Sequence, residues 1–303
     1  MAFTMHSHSG QFCPGHAVNT LESILVHAIS IGYKTIGLTE HMPRTSLSDL
    51  YPEELVPSPE DSLAALAPRH EAFLTEAKRL QDKYKDQIHI LVGFEGEWIR
   101  PEYETLVKEL ADDKRVDYYI GSLHHVSGVP IDFDKAMYAS AKGKVGGGET
   151  EMWERYYDEQ YEMLKALQPR VVGHFDLIRL MSEEPNRDPR EWRGVWERVE
   201  RNLEFVKGYG GWLECNTSGL RKGLKEPYPG RAVAERWVEI GGQWTFSDDS
   251  HGIRQVATCY EGGLGYLEGL GVTEVWTLER TEAGLREKRV GLDEFRGSLR
   301  SGE

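Results

Sequence analysis

Short apolar runs alternate with segments of helical periodicity from one end of the chain to the other. In Leu21–Tyr33 and Glu149–Leu167 the apolar residues recur at the spacing of one helix face, and Asn19 or Thr20 is available to cap the first helix. The predicted strands are Phe3–Ser9, Thr35–Glu40, Ile88–Trp98, Asp117–Val126, Arg170–Asp176, Trp212–Ser218, Gln243–Asp248 and Glu274–Leu278. The other predicted helices are Pro68–Lys85, Glu102–Asp113, Pro189–Tyr209 and Arg231–Ile240.

This alternation predicts a parallel sheet with right-handed crossovers. A chain of 303 residues with seven or eight β/α units favours a closed barrel over an open sheet. Two long polar stretches, Pro43–Pro68 and Gly128–Gly148, are predicted to be loop insertions, and no break in composition marks a linker. We therefore predict one α/β domain over residues 1–303.

The composition narrows the possible partners. The formal net charge is -14, which disfavours a nucleic-acid partner, although metals or a few arginines could still attract a small anion. Cys13, Cys215 and Cys259 are odd in number and lack C-x-x-C spacing, so a reducing compartment is expected. No signal peptide and no membrane-length apolar stretch is recognisable, and we predict a cytoplasmic protein with no membrane partner.

Histidine and carboxylate residues stand at the ends of successive predicted strands. The carboxyl ends of barrel strands open onto one face, and that face carries the active site, so these side chains are expected to converge. Any one of them alone is more often a structural or surface residue, but the joint pattern favours a common site. The residues are His6, His8, His41, Glu95, His124, His174, Asp249 and His251.

The spacing of these residues favours a metal centre. His6 and His8 are two apart, so both side chains point to the same face of a strand, and Asp249 and His251 repeat this spacing. Imidazole and carboxylate together suit zinc, manganese or iron, and a carboxylate such as Glu95 can bridge two cations. The pattern predicts a multinuclear centre that generates hydroxide and neutralises a phosphate.

The same residues stand in motifs that resemble the PHP superfamily (polymerase and histidinol phosphatase) from Met5 to His251. Within it, the motifs are most similar to monofunctional histidinol-phosphate phosphatases, to which the run Asn216–Arg221 also points, and the long loops resemble fungal members. The motifs are His6-Ser7-His8-Ser9, Phe12-Cys13-Pro14, Thr39-Glu40-His41, Gly93-Phe94-Glu95, Gly121-Ser122-Leu123-His124, Gly173-His174-Phe175-Asp176 and Ser247-Asp248-Asp249-Ser250-His251.

The resemblance implies a distorted TIM-like (β/α)7 barrel with three divalent metal ions, zinc first and manganese or iron as alternatives. Asp248 is a rival for Asp249, but the D-x-H register and strand parity favour Asp249. The implied ligands are His6, His8, Glu95 and Asp249 for the first metal, Glu95, His124 and His174 for the second, and His16, His41 and His251, with Glu40 as a further contact, for the third.

The implied activity is hydrolysis of a small phosphate ester, L-histidinol phosphate, in histidine biosynthesis. Glu95, Asp249 and His174 are the predicted catalytic residues. Alternatives are a PHP-type phosphodiesterase or nuclease, a phosphatase for another small phosphoester, and a scaffold with a decayed site. The acidic charge counts against the nuclease, and the full ligand set counts against decay. The oligomeric state is left open.

Three further residues are candidates for substrate binding by their chemistry. Arg221 directly follows a strand end, and its guanidinium fork suits a phosphate; Arg179 lies just beyond His174. Glu97 shares a strand face with Glu95 and could pair with a substrate amine. The proton donor for the leaving group is undetermined, with Asp176 and the metal-bound groups as candidates.

Overall fold

The computed structural model describes residues 1–299, which form a nearly closed α/β barrel. The strands in chain order are β1 (Phe3–Thr4), β2 (Thr35–Leu38), β3 (His89–Glu97), β4 (Tyr118–Ser122), β5 (His125–Val126), β6 (Val129–Pro130), β7 (Val171–Val172), β8 (Trp212–Asn216), β9 (Gln243–Ser247), β10 (Glu274–Thr281) and β11 (Gly284–Gly291). The helices are α1 (Leu21–Ser30), α2 (Pro59–Tyr84), α3 (Tyr103–Ala111), α4 (Lys135–Lys144), α5 (Glu149–Leu167), α6 (Arg193–Tyr209), α7 (Ser218–Arg221), α8 (Arg231–Glu239), α9 (Tyr260–Glu268) and α10 (Leu292–Ser298).

Seven parallel strands make the barrel, in the order β1-β2-β3-β4-β7-β8-β9. The first and last strands meet just beyond their ends: Met5 N donates to Phe246 O at 3.2 Å, and His8 N donates to Ser250 O at 2.8 Å. A parallel bridge between Ser7 and Ser250 continues this contact. The predicted seven-stranded α/β barrel is therefore confirmed.

The outer helices follow the sequence pattern closely. Helix α5 has the predicted bounds, and the hydroxyl of Thr20, rather than the side chain of Asn19, caps α1 by accepting from Ser23 N at 3.2 Å. Barrel strands such as β8 are buried along their whole length, as expected for strands enclosed by helices. Within residues 1–299 no helix is both long enough and apolar enough to cross a membrane.

Two helices differ from the sequence prediction. Helix α2 begins at Pro59, nine residues before the predicted start, with the Ser58 side chain accepting from Asp61 N at 3.2 Å. The stretch Gly128–Gly148, predicted to be a loop, contains α4, whose N-cap Asp134 accepts from Met137 N at 2.7 Å. Both starts are set by capping residues that precede weakly amphipathic sequence, so periodicity did not reveal them.

The predicted last strand does form, but outside the barrel. Strand β10 pairs antiparallel with β11 in a two-stranded sheet, and β11 is largely exposed. Helix α10 then packs Phe295 against Phe3 and Phe246, with ring centroids 5.1 Å apart in each pair. Arg280 and Glu287 of the hairpin pair with Asp117 and Arg170, which directly precede β4 and β7. The hairpin therefore covers the amino-terminal side of the barrel, opposite the predicted site.

Candidate metal centre and active site

Glu95, near the end of β3, lies at the centre of a buried group of imidazoles. Its Oε2 lies 3.3 Å from His6 Nε2 and 3.4 Å from His8 Nε2. Its Oε1 lies 3.3 Å from His124 Nε2 and 3.1 Å from His174 Nε2. Each carboxylate oxygen therefore faces two of these histidines, and His41 Nδ1 also lies 3.1 Å from Oε2.

Three sets of ligand atoms are close enough to hold a cation, since within each set the atoms lie within 4.8 Å of one another. Two sets share Glu95 and agree with the first two sets implied by the family resemblance, apart from Asp249. The third set contains His8 where the resemblance implied His16. The sets are His6, His8 and Glu95; Glu95, His124 and His174; and His8, His41 and His251.

The donor atoms in these sets fit a metal. Several buried imidazole nitrogens have no hydrogen-bond partner among residues 1–299, including His6 Nε2, both nitrogens of His8 and His251 Nε2. Leaving such atoms unpaired inside a protein is costly, and divalent cations satisfy them. His124 Nε2 and His174 Nε2 also face each other at 3.1 Å, as two ligands of one cation do.

Asp249, rather than Asp248, lies in this group. Asp249 Oδ1 is 3.4 Å from His8 Nε2, and its backbone has φ of 48°, a left-handed conformation that aspartate tolerates better than most residues. The carboxylate of Asp248 instead accepts from Tyr33 Oη at 2.9 Å and from Ala257 N at 2.7 Å. Asp248 thus secures the turn that presents Asp249.

His16 and Glu40, the least central of the predicted ligands, lie at the edge of the group. The His16 side chain is 43% exposed, its Nδ1 lies 3.2 Å from Glu53 Oε1, and its ring centroid is 4.6 Å from that of His251. Glu40 accepts from Ser9 N at 2.9 Å and from Ser9 Oγ at 2.6 Å. Burial raises the pKa of Glu40 to about 8.

The charges around Glu95 keep it ionised. Burial alone would raise the pKa of Glu95, but the nearby imidazoles of His6, His124 and His41 hold it well below its usual range. Glu97 behaves in the same way: burial opposes ionisation, but Arg44 and His41 lower its pKa. Both acids are buried and therefore stay negative inside the protein.

Glu214, which was not predicted from the sequence, lies directly behind the histidines. Its Oε1 is 2.9 Å from His6 Nδ1, and its Oε2 accepts from His174 N at 2.9 Å and from Asn216 Nδ2 at 3.0 Å. A carboxylate on the second nitrogen of a metal-binding imidazole fixes the tautomer and orientation of the ring. Its position in the fully buried strand β8 was the available signal, because an acid there needs a partner.

The predicted substrate-binding residues have partners that leave them little freedom to bind a phosphate or an amine. Arg221 donates to Asp248 O at 2.7 Å and to Asp249 O at 2.8 Å. Arg179 Nε lies 2.8 Å from Asp176 Oδ2, and both residues line a separate cavity. Glu97 contacts Arg44 and His41. Neither Arg221 nor Arg179 lines the pocket above Glu95.

The pocket above Glu95 combines cations, acids and aromatic rings. Its cationic lining residues are Arg44, Arg69 and Lys222, the last with Nζ 4.0 Å from Asp249 Oδ2. Tyr51 and Phe133 form an aromatic wall, with ring centroids 6.4 Å apart. The pocket is thus suited to a small molecule that carries both an anionic group and a polar or cationic group.

Known proteins resemble this chain in sequence and in fold. Residues 4–218 match the family model described as the PHP domain. A Schizosaccharomyces pombe protein named probable histidinol-phosphatase is 42% identical over 94% of this chain and 92% of its own length. The Saccharomyces cerevisiae histidinol-phosphatase is 31% identical over 96% of each chain. A solved histidinol phosphate phosphatase from Lactococcus lactis, in complex with Zn, L-histidinol and phosphate, shares the fold with a TM-score of 0.67 and 17% identity, covering 91% of this chain and 96% of its own.

Proposed function

Because this chain belongs to the PHP domain family and to the histidinol-phosphatases within it, we propose that it hydrolyses L-histidinol phosphate to L-histidinol and phosphate, a late step of histidine biosynthesis. The observation that carries the proposal is the gathering around Glu95 of buried imidazole nitrogens without a hydrogen-bond partner among residues 1–299, beneath a pocket lined by cationic, acidic and aromatic residues. Sets of this kind bind cations, and cations attract a phosphate ester. The ligands of the solved Lactococcus protein support the choice of substrate.

We further propose three divalent cations, held by the three ligand sets around Glu95 and His8, with Asp249 as an additional ligand. The zinc in the Lactococcus structure supports zinc, and manganese or iron would suit the same donors. When bound, such cations lower the pKa of water to supply a nucleophile at neutral pH and neutralise the charge on phosphoryl oxygens.

In this proposal the residues of the chain hold the cations and orient the substrate. Glu95 presents one oxygen to each of two ligand sets and remains ionised, while Asp249 and His174 complete the centre on opposite sides of it. Lys222, at the pocket wall, supplies a point charge for a phosphate oxygen. Arg221 donates hydrogen bonds to the carbonyls of Asp248 and Asp249 and so positions Asp249.

A substrate panel tests the proposed activity. The purified protein, supplied with zinc or manganese, is assayed for phosphate release from L-histidinol phosphate and p-nitrophenyl phosphate and for cleavage of a dinucleotide. We expect kcat/KM for L-histidinol phosphate to exceed the others by at least about a hundredfold, because pockets with polar groups placed for one substrate discriminate strongly. A preference for the dinucleotide would make the protein a phosphodiesterase, and no turnover of any ester would favour a decayed scaffold.

Elemental analysis tests the metal content. The three ligand sets exceed what one ion can use, so the purified protein should carry more than one transition metal per chain. One equivalent or none in a fully active sample would contradict the proposed centre. Removal of the metal with a chelator should abolish activity, and its return should restore it.

A further inference from the structure

Asp132 differs from the other acids of the pocket in having no partner within residues 1–299. Within the described part of the chain the pocket is lined by six carboxylates, and five of them contact a histidine or an arginine. Asp132 has no ionic or hydrogen-bonding partner among residues 1–299, and its Oδ1 is buried. The five paired acids are Glu53, Glu54, Glu95, Glu97 and Asp249.

The backbone holds Asp132 close to the metal ligands. Ile131, its neighbour, is fully buried and donates its N–H to the carbonyl of His124 at 2.9 Å. On the other side, Asp134 caps α4. Asp132 is therefore fixed between two anchors, one of which is a residue of the Glu95 ligand sets.

A buried carboxylate oxygen without a partner is costly unless something binds it. Phe133, the next residue, carries an aromatic ring at the rim of the pocket, 38% exposed and facing the ring of Tyr51. A carboxylate beside aromatic rings favours an organic cation, because the charge pairs with the acid and the ring faces add cation–π attraction.

We propose that Asp132, assisted by Phe133, binds the ammonium group of the substrate and so selects a phosphate ester of an amino alcohol. The proposal rests on the proposed function. In L-histidinol phosphate the amine is on the carbon next to the one that carries the ester oxygen, so its partner must lie near the phosphate. Asp132 meets this requirement by lining the same pocket as His124 and His174. Glu97 is less available to bind the amine, because Arg44 and His41 already contact its oxygens.

The test compares two substrates that differ only in the amine. L-Histidinol phosphate and imidazolylpropyl phosphate, which has the same skeleton without the amine, are assayed with wild type, Asp132→Asn and Asp134→Asn. Asp134→Asn is the matched control, because it removes one negative charge two residues away while asparagine still caps α4. Thermal unfolding and metal content are measured for each protein.

For Asp132→Asn we expect the ratio of the two kcat/KM values to fall by about 10- to 100-fold, the range for a lost hydrogen bond to a charged group. The loss on imidazolylpropyl phosphate should be much smaller, and Asp134→Asn should keep the wild-type ratio. An unchanged ratio in Asp132→Asn, or equal losses on both esters, would overturn the proposal. Failure of the wild type on L-histidinol phosphate would instead overturn the proposed function, so the two failures are distinguishable.

Discussion

The barrel mouth and a neighbouring ion-pair cluster are both buried and polar, but their chemistry differs. At the mouth, nitrogens face nitrogens, as His124 faces His174, and both histidine pairs converge on the oxygens of Glu95. In the ion-pair cluster, defined as Asp176, Arg179 and Tyr228, an acid meets a base 2.8 Å away and Arg179 also donates to Pro227 O at 2.9 Å.

This difference separates a binding site from a structural contact. Residues of one chemical kind that face each other need an external partner, whereas an acid and a base neutralise each other. Position at a strand end is common to both regions, so it is not sufficient to assign a function.

Removing the charge at the centre of the mouth should have the largest effect. Glu95→Gln takes away the carboxylate shared by two ligand sets, so turnover should fall by at least about a hundredfold, the scale for loss of one key electrostatic group. The thermal unfolding temperature without added metal should stay near that of wild type, because the side chain pairs with little but imidazoles. Wild-type turnover at saturating metal would rule out this role for Glu95.

Breaking the ion-pair cluster should lower the free energy of unfolding. Arg179→Met leaves Asp176 buried without its cation, which should cost about 3 kcal/mol or more of unfolding free energy by urea titration. Adding Asp176→Asn should recover part of this loss, because no charge then remains buried. Metal content should not change in either variant. If Arg179→Met unfolds like wild type but binds substrate poorly, the original assignment of Arg179 to the substrate is correct and the contrast fails.

Glu214 shares a feature with each region. It pairs with another residue of the protein, as the acid of the ion-pair cluster does, but its partner His6 lies at the barrel mouth. Glu214→Gln should lower metal affinity by about 10- to 100-fold, the usual effect of losing a carboxylate behind a metal-binding imidazole. Competition with a fluorescent chelator measures this affinity directly. Glu159→Gln, which changes a buried acid that pairs with Arg155, is the control and should bind metal as wild type does. Equal affinities for all three proteins would make Glu214 a packing residue.

Replacing Arg221 and replacing its neighbour Lys222 should change different properties of the protein. Lys222→Ala should keep its metal and weaken inhibition by inorganic phosphate by about fivefold at most, because a half-exposed charge contributes about 1 kcal/mol or less. Arg221→Ala should instead lower metal content, since the turn that carries Asp249 loses two donors. Full metal content with weaker phosphate inhibition in Arg221→Ala would return the phosphate role to the arginine.

The sequence predicted the strand-end residues well because barrel geometry sends every carboxyl end to one face. His6, His41 and His174 can be assigned to one site from the sequence alone. It could not predict what the arginines contact, since the partners of Arg221 are backbone carbonyls that carry no sequence signal. Glu214 and Asp132 were missed for a related reason: each depends on which neighbours are already paired. The cytoplasmic location stays a prediction.

The closing contact between Ser7 and Ser250 has a consequence for how the protein is synthesised. His6 and His8 leave the ribosome before Asp249 and His251, which follow more than two hundred residues later. A nascent chain that has emerged only to the end of β7 and His174 contains the Glu95, His124 and His174 set, but the set with His251 is still incomplete. Metal capture at the mouth should therefore be staged during translation, and a ribosome-stalled chain ending before Asp249 should retain metal more weakly than the finished protein.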